Sequence, residues 1–463
     1  MRLAYLTLSL LLACRGRGTD DARRADVGSR RVRVTTQAVP ADAPVVHLAE
    51  LPPGSPPLIV LTVLDAVRAD ALELCGGRPG TSDALAALVA RGASYTCQAY
   101  APATWTLPSH VTYFTGLDPL THGQLRKGVR LDDGVDTLAE ALQARGYQTL
   151  LISANPVLHE GTGVHQGFAK AVVANGLVGS MRGEGLARTV QTELALLDPT
   201  RPVFLFLNIF DAHDPYPRVP AQTPGFTELP PFALNSNLGD DNPWSRFMAG
   251  QMRPAEEEAW LSQARETYAF GVRVADQALG AVIDHLQTTP WFQAGARVVV
   301  TSDHGELLGE HRRMRHDGPA FEPVARVPLV VLDTTTAPPP LPSPFPGAVV
   351  HALVRDGALP ATLPSPTSVS VKIGRREDPR YADAVALWTG PSEKLTWVNG
   401  ESARFDLAAD PAEAAPADVA NHPALPALQA LIERQQAARE GAANAKVDAA
   451  VTKMLEKMGY VGE

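Results

Sequence analysis

The stretch "LIVLTVLDAVRAD", Leu58–Asp70, runs seven apolar or β-branched residues straight into an aspartate. An unbroken apolar run of strand length reads as a strand buried on both faces, and burial on both faces belongs to parallel sheets. The pattern recurs at "TLLISA" (Thr149–Ala154), "VFLFLNI" (Val203–Ile209), "RVVVT" (Arg297–Thr301) and "VPLVVL" (Val327–Leu332). Helix signals lie between these runs. Ser82–Arg91 is stopped by Gly92, the capping box Thr137-Leu-Ala-Glu140 opens a helix ending at Gly146, and Glu256–Gln287 carries a long helical pattern. Strands alternating with helices predict an α/β domain with a mostly parallel sheet flanked by helices.

Polar residues stand where the strands end. The first strand runs into Asp65, with Arg68 and Asp70 close behind; the second into Asn155; the third into "FDAHDPY" with Asp211 and His213; the fourth into "SDHGE" with Asp303 and His304. Ligands of open α/β sheets bind outside the carboxyl ends of the strands. Asp65, Asp211, His213, Asp303 and His304 are therefore expected to converge, although a single Asp or Asn is an ordinary turn former. Carboxylates with an imidazole suit a divalent cation. The segment "ATWTLPSHVTYFTG", Ala103–Gly116, supplies hydroxyls. Pro108 falls in a first helical turn, which places Thr106 where backbone N–H groups point outward toward an anionic ester. A cation there would lower a hydroxyl's pKa and make it a nucleophile. Ser109 reads instead as a helix-start residue serving the backbone.

The rest of the chain bounds these readings. A length of 463 residues predicts a large domain plus a smaller one. A net charge of −9 offers no basic footprint and argues against nucleic acid. Met1–Cys14, a short charged start with an apolar run ending "LLAC", reads as a signal peptide of lipoprotein type. It would leave Cys14 lipidated and the protein exported and membrane-anchored, in the periplasm or at the cell surface. Residues 15–57, arginine-rich and then proline-rich, read as a tether. Residues 58–335 would form the catalytic domain, 336–347 a proline-rich linker or surface crossing, and 348–463 a smaller C-terminal α+β module with short strands and Ala/Glu-rich helices. Cys75 and Cys97 remain in the body, and sequence leaves their pairing open.

Together these segments resemble the sulfatase family of the alkaline phosphatase superfamily. "VLDAVRAD" resembles its first metal-binding strand end, "TWTLPSHVTYFTGLDPLTHG" its nucleophile segment, "DAHDPY" its substrate-side histidine, and "TSDHGELLGEHRRMRHDGPAFEPVARVPLVV" its second metal segment. "RFDLAADPAE" and "MLEKMGYVGE" resemble its C-terminal module. The resemblance implies an alkaline-phosphatase-like fold with a divalent metal on Asp65, Thr106, Asp303 and His304. It implies Thr106 as nucleophile, with His213 and His316 contacting substrate oxygens or protonating the leaving group. His110, Lys127 and Arg68 would face the substrate, an anionic ester on a glycan, lipid or small molecule. Asp70, Glu306, Glu310 and His311 would orient the second metal segment.

This sequence departs from the family at the decisive positions. Sulfatases carry C/S-x-P-x-R, whose Cys or Ser is oxidised to formylglycine; here Thr106-Leu-Pro-Ser-His110 stands in its place. A threonine Cβ bears a methyl group and cannot become that aldehyde, so no formylglycine is expected. His110 replaces a fixed positive charge, Ala66 stands where many members have a second aspartate, and Asp303-His304 replaces Asp-Asn. These residues resemble the threonine-using phosphodiesterases and phosphoethanolamine or phosphoglycerol transferases, which favours zinc or manganese over calcium or magnesium. Phosphoester rather than sulfate chemistry is therefore expected, by hydrolysis or transfer. The competing expectation is a non-catalytic surface lipoprotein that binds anionic glycans or lipids.

Overall fold

The computed structural model describes residues 32–37, 44–125, 129–174, 181–234, 242–316, 318–370 and 383–444. Met1–Cys14 and most of the expected tether lie outside the described residues, as do Lys127 and residues 445–463, which include "MLEKMGYVGE".

The runs that read as buried strands are the middle of one sheet. In chain order its strands are β1 (Val32–Thr36), β2 (Leu58–Leu64), β3 (Ser94–Tyr100), β4 (Gln148–Ser153), β5 (Lys170–Ala174), β6 (Val203–Ile209), β7 (Ala296–Thr301), β10 (Arg326–Asp333) and β11 (Phe345–Pro346). A two-stranded hairpin, β8 (Leu307–Leu308) with β9 (Met314–Arg315), intervenes. The spatial order is β1-β5-β4-β6-β2-β7-β10-β3-β11. The centre, β5-β4-β6-β2-β7, is parallel; β10 lies antiparallel between β7 and β3, and β1 caps the far edge antiparallel to β5.

Strand β2 explains why the apolar runs do not alternate. Leu58, Val60 and Leu64 enter the core on one face, while Ile59, Leu61 and Val63 enter the core on the other. Successive side chains leave a strand on opposite sides, so a sheet covered twice needs apolar residues at every position. The long helix Pro254–Gln287 and the helices Asp83–Ala90 and Glu184–Leu194 cover one face. Thr106–Thr115, Leu138–Gln143 and Val350–Asp356 cover the other. Thr137 caps Leu138–Gln143 as its capping box predicts.

Two boundaries differ from the sequence reading, and the structure decides a third that it left open. Residues 32–36, expected within the tether, pair with β5 as an edge strand. The proline-rich 336–347 segment is a crossing over one body rather than a joint between two, because Phe345–Pro346 pairs with β3. Val350–Asp356, placed by sequence in the C-terminal module, packs under the main sheet. The module proper is an antiparallel sheet of β12 (Thr367–Ser370), β13 (Ala384–Gly390), β14 (Glu393–Val398) and β15 (Glu401–Asp406), with the helix Leu425–Asn444 against it. It grips the chain just before Thr106. Thr104 N donates to Val369 O (3.2 Å), Val369 N donates to Pro102 O (3.0 Å), and Trp388 stacks on Tyr100 at 3.9 Å.

Candidate active site

Strands β2, β4, β6 and β7 end side by side, and their ends carry the site. Asp65 N donates to Ile209 O (2.8 Å), which prolongs the β2–β6 ladder by one residue and fixes the carboxylate beside β6. The next residue, Ala66, turns with φ 61°. This left-handed backbone costs a non-glycine residue roughly 1–3 kcal/mol. Hydrogen bonds offset it: Ala66 N donates to Asp303 Oδ1 (3.2 Å), Ala66 O accepts from the Tyr268 hydroxyl (2.8 Å), and Val67 N donates to Ser302 Oγ (3.0 Å).

Thr106 is the first residue of the helix Thr106–Thr115, preceded by an extended Trp105 and closed by Gly116 at φ 72°. Its hydroxyl is buried, 3.4 Å from His304 Nε2 and 3.5 Å from Asn155 Nδ2. Ser109 Oγ instead donates to Ala103 O (3.2 Å), so it braces the helix start through a carbonyl.

The imidazoles share one tautomer. His304 Nδ1 lies 2.9 Å from Gly305 O, His213 Nδ1 2.7 Å from Asp214 O, His316 Nδ1 3.1 Å from Thr104 O, and His110 Nδ1 2.8 Å from Thr106 O. A carbonyl oxygen only accepts, so each Nδ1 carries a proton and, in the neutral ring, each Nε2 carries a lone pair. Three of these rings cluster: His304 and His316 stand 4.0 Å apart by ring centroids, and His213 is 5.4 Å from His316. His213 also stacks on Phe210 at 4.4 Å, and its Nε2 has no hydrogen-bond partner among the described residues.

Both carboxylates are fully buried, and electrostatics strains them. Burial, then repulsion from Asp303, pushes Asp65 up from 3.8 to about 7. Burial pushes Asp303 up to about 7 as well. Asp65 Oδ1 and Asp303 Oδ2 have no hydrogen-bond partner among the described residues. Ligand atoms of Asp65, Asp303 and His304 lie within 4.8 Å of one another. Orphaned carboxylate oxygens facing a lone-pair nitrogen are what a divalent cation would satisfy, so the donor set fits one.

Other expected residues fall elsewhere. Asp211 does not join the cluster; its carboxylate accepts from Gly183 N at 3.0 and 3.1 Å. Arg68 does not face a substrate either. It is gripped by both oxygens of Asp70 (2.8 and 2.7 Å) and by Glu310 (2.7 Å), because two carboxylates outcompete an open cleft for a buried guanidinium. Asp70 and Glu310 thus orient this segment as expected, and His311 stacks on Phe321 at 3.7 Å. His110, expected to be a titratable substrate contact, is wholly buried, and burial pulls it down to about 3. Its Nδ1 is 3.6 Å from Asp303 Oδ2, but with the proton directed at Thr106 O the pair is not ionic. Lys127 lies outside the described residues.

Two site residues carried no role in the sequence reading. Asn155 Nδ2 and Asn208 Nδ2 both donate to Asp65 Oδ2, at 2.7 and 2.9 Å. Asn208 had a visible signal: it is the one polar residue in "VFLFLNI", and a buried amide needs a partner.

This combination, a doubly covered sheet with a helix-start hydroxyl among strand-end carboxylates and imidazoles, is the architecture of ester hydrolases of the alkaline phosphatase superfamily. The sulfatase family model matches residues 57–363, more than half the chain. The phosphonate monoester hydrolase of Agrobacterium radiobacter superposes with TM-score 0.60 at 16% identity, covering 84% of this chain and 96% of that one. That from Silicibacter pomeroyi gives 0.58 at 18% identity, covering 84% and 96%. BT4656, solved with its substrate D-glucosamine-2-N,6-O-disulfate, gives 0.62 at 15% identity, covering 84% and 99%. The chain belongs to the sulfatase family and is a sulfate or phosphate ester hydrolase.

Proposed function

We propose that the chain cleaves a phosphoester, with a diester or phosphonate monoester preferred over a sulfate ester, using Thr106 as nucleophile. The observation that carries this reading is the placement of Thr106 Oγ1, buried 3.4 Å from His304 Nε2, on a side chain whose Cβ methyl forbids oxidation to formylglycine. Two of the similar structures being phosphonate monoester hydrolases supports phosphorus chemistry.

Asp65, Asp303 and His304 would hold one divalent cation, with zinc or manganese suited to the imidazole; when bound, it supplies positive charge that acidifies the nearby hydroxyl and offsets charge on the ester oxygens. Thr106 Oγ1 forms a bond to phosphorus as the bond to the ester oxygen breaks. The Nε2 atoms of His213 and His316 pass the hydroxyl proton to the departing oxygen. Water then cleaves the Thr106 ester and restores the hydroxyl; an alcohol acceptor in its place would make the reaction a transfer. Met1–Cys14 would export the protein and anchor it to a membrane.

The test is a parallel assay of aryl sulfate, phosphate monoester, phosphodiester and phosphonate monoester, each with zinc, manganese or calcium. The diester or phosphonate should turn over fastest, with zinc or manganese. Sulfate hydrolysed at the highest rate would overturn the phosphoester preference.

A further inference from the structure

The chain treats its two site aspartates alike. Asp303 Oδ1 accepts from Ala66 N (3.2 Å) and His304 N (3.0 Å), while Asp65 Oδ2 accepts from Asn155 Nδ2 (2.7 Å) and Asn208 Nδ2 (2.9 Å). In each carboxylate the other oxygen, Asp303 Oδ2 or Asp65 Oδ1, is buried and without a hydrogen-bond partner among the described residues. For Asp303 the donors are backbone groups, which almost any sequence would provide. For Asp65 they are side chains, and side chains are chosen.

The two amides are also locked in orientation. Asn155 Oδ1 accepts from Val157 N (2.9 Å) and Asn208 Oδ1 accepts from Asn155 N (3.1 Å). With each carbonyl end occupied by a backbone N–H, each NH2 end must face Asp65, so neither amide can be flipped. Asn208 stands on β6, all seven residues of which are buried, and reaches across to Asp65 at the end of β2. Asn155 Nδ2 additionally lies 3.5 Å from Thr106 Oγ1, tying the ligand to the nucleophile.

We propose that Asn155 and Asn208 are positioning residues that restrict Asp65 to ligation through one oxygen, and so favour a cation of few ligands, of the zinc type, over calcium. Calcium takes six to eight oxygens and often both oxygens of a carboxylate. Zinc is satisfied by about four nitrogen, oxygen or sulfur ligands. Turning Asp65 to offer both oxygens would break two hydrogen bonds and strand two buried NH2 groups, a cost that falls on calcium alone. The inference rests on the reading that Asp65, Asp303 and His304 hold a divalent cation.

Zinc and calcium dissociation constants are measured by chelator competition on full-length, metal-stripped protein, together with melting of the metal-free form. Asn208→Leu, which keeps the branching of the side chain but removes its amide, should weaken zinc binding about 10–100-fold and calcium binding much less. Asn208→Asp, of the same shape, should move the selectivity further toward calcium. Asn155→Leu should behave as Asn208→Leu does, provided it melts like the parent. Variants that lose zinc and calcium affinity equally, or neither, overturn the role of the asparagines. A parent protein that binds neither ion overturns the cation reading beneath it.

Discussion

Lys394 and Asp65 are both fully buried, in charge clusters that the chain has completed to different degrees. Lys394 Nζ donates to Glu413 Oε1 and Ala320 O and lies 3.6 Å from Glu322 Oε1. Glu322 in turn accepts from Trp388 Nε1 (2.9 Å) and Tyr100 OH (3.3 Å), and its own N–H donates to Glu413 Oε2 (2.6 Å). This cluster carries its own cations, Lys394 and also Arg326, whose Nε lies 3.9 Å from Glu322 Oε2, and it joins the C-terminal sheet to the segment that follows His316. At the strand ends, Asp65 and Asp303 stand among the imidazole of His304, the Thr106 hydroxyl and amide groups, with no lysine or arginine paired to either among the described residues, and both are driven to about 7. A buried cluster that neutralises itself is architecture. One that leaves carboxylate oxygens bare is prepared for a positive guest, because an uncompensated buried charge is otherwise too costly to keep.

The largest expected effect is at the open cluster. If Thr106 is the nucleophile proposed above, Thr106→Ala should cut turnover by at least about 10³-fold, with circular dichroism and melting unchanged, because only one methyl and one hydroxyl are lost. A closed cluster should respond in the opposite sense. Lys394→Met leaves Glu413 buried without its cation and Glu322 with Arg326 alone, and should destabilise the fold by about 3–5 kcal/mol in urea unfolding. Asp303→Asn, by contrast, should stabilise the metal-free protein, since the amide keeps the accepting oxygen and removes the repulsion on Asp65. If both substitutions destabilise equally, the two clusters do not differ as argued.

A covalent tie is expected to rank next. Cys75 and Cys97 form a disulfide with Cα atoms 5.6 Å apart, joining the strap after Asp65 to β3 across 22 residues. Opening a loop of that size should cost about 3 kcal/mol, read as a lower denaturation midpoint for Cys75→Ala/Cys97→Ala.

The smallest effect is on pH. Asp65 and Asp303 must lose protons to act as ligands, so metal affinity should rise with pH, by up to about tenfold per unit for each carboxylate, and level off above about 7. In the metal-free protein the sign reverses. Carboxyl groups whose pKa is raised on folding add stability that is full below about 4 and lost as pH rises through about 7. Titration calorimetry across pH 5–9 should find protons released on metal uptake at the acid end and few at the alkaline end.

The sheet was legible because burial on both faces leaves an unambiguous mark, an apolar run without alternation, and all five such runs in the sequence are strands. Strands β1 and β3 were not legible: "VRVTT" and "SYTCQAY" are half polar, as expected of strands at or near the sheet edges, with less to bury. At the site, strand-end position points to Asp65, Asp303 and His304 as residues that converge, and they do; their proposed ligand role comes from the family resemblance. Arg68 and Asp211 shared that position and were misread, because sequence does not say which neighbour will claim a charge. Asn208 is half legible: the lone polar position in a buried strand signals an amide that needs a partner, and only the structure shows that the partner is Asp65.

Whether Thr106 is the nucleophile is decided by intact-mass and peptide mass spectrometry of protein quenched during turnover of an aryl phosphodiester or phosphonate. One substrate-derived phosphoryl or phosphonyl group should appear on Thr106 and be absent from Thr106→Ala. Turnover with no label on Thr106, or with the label on Ser109, would contradict that role.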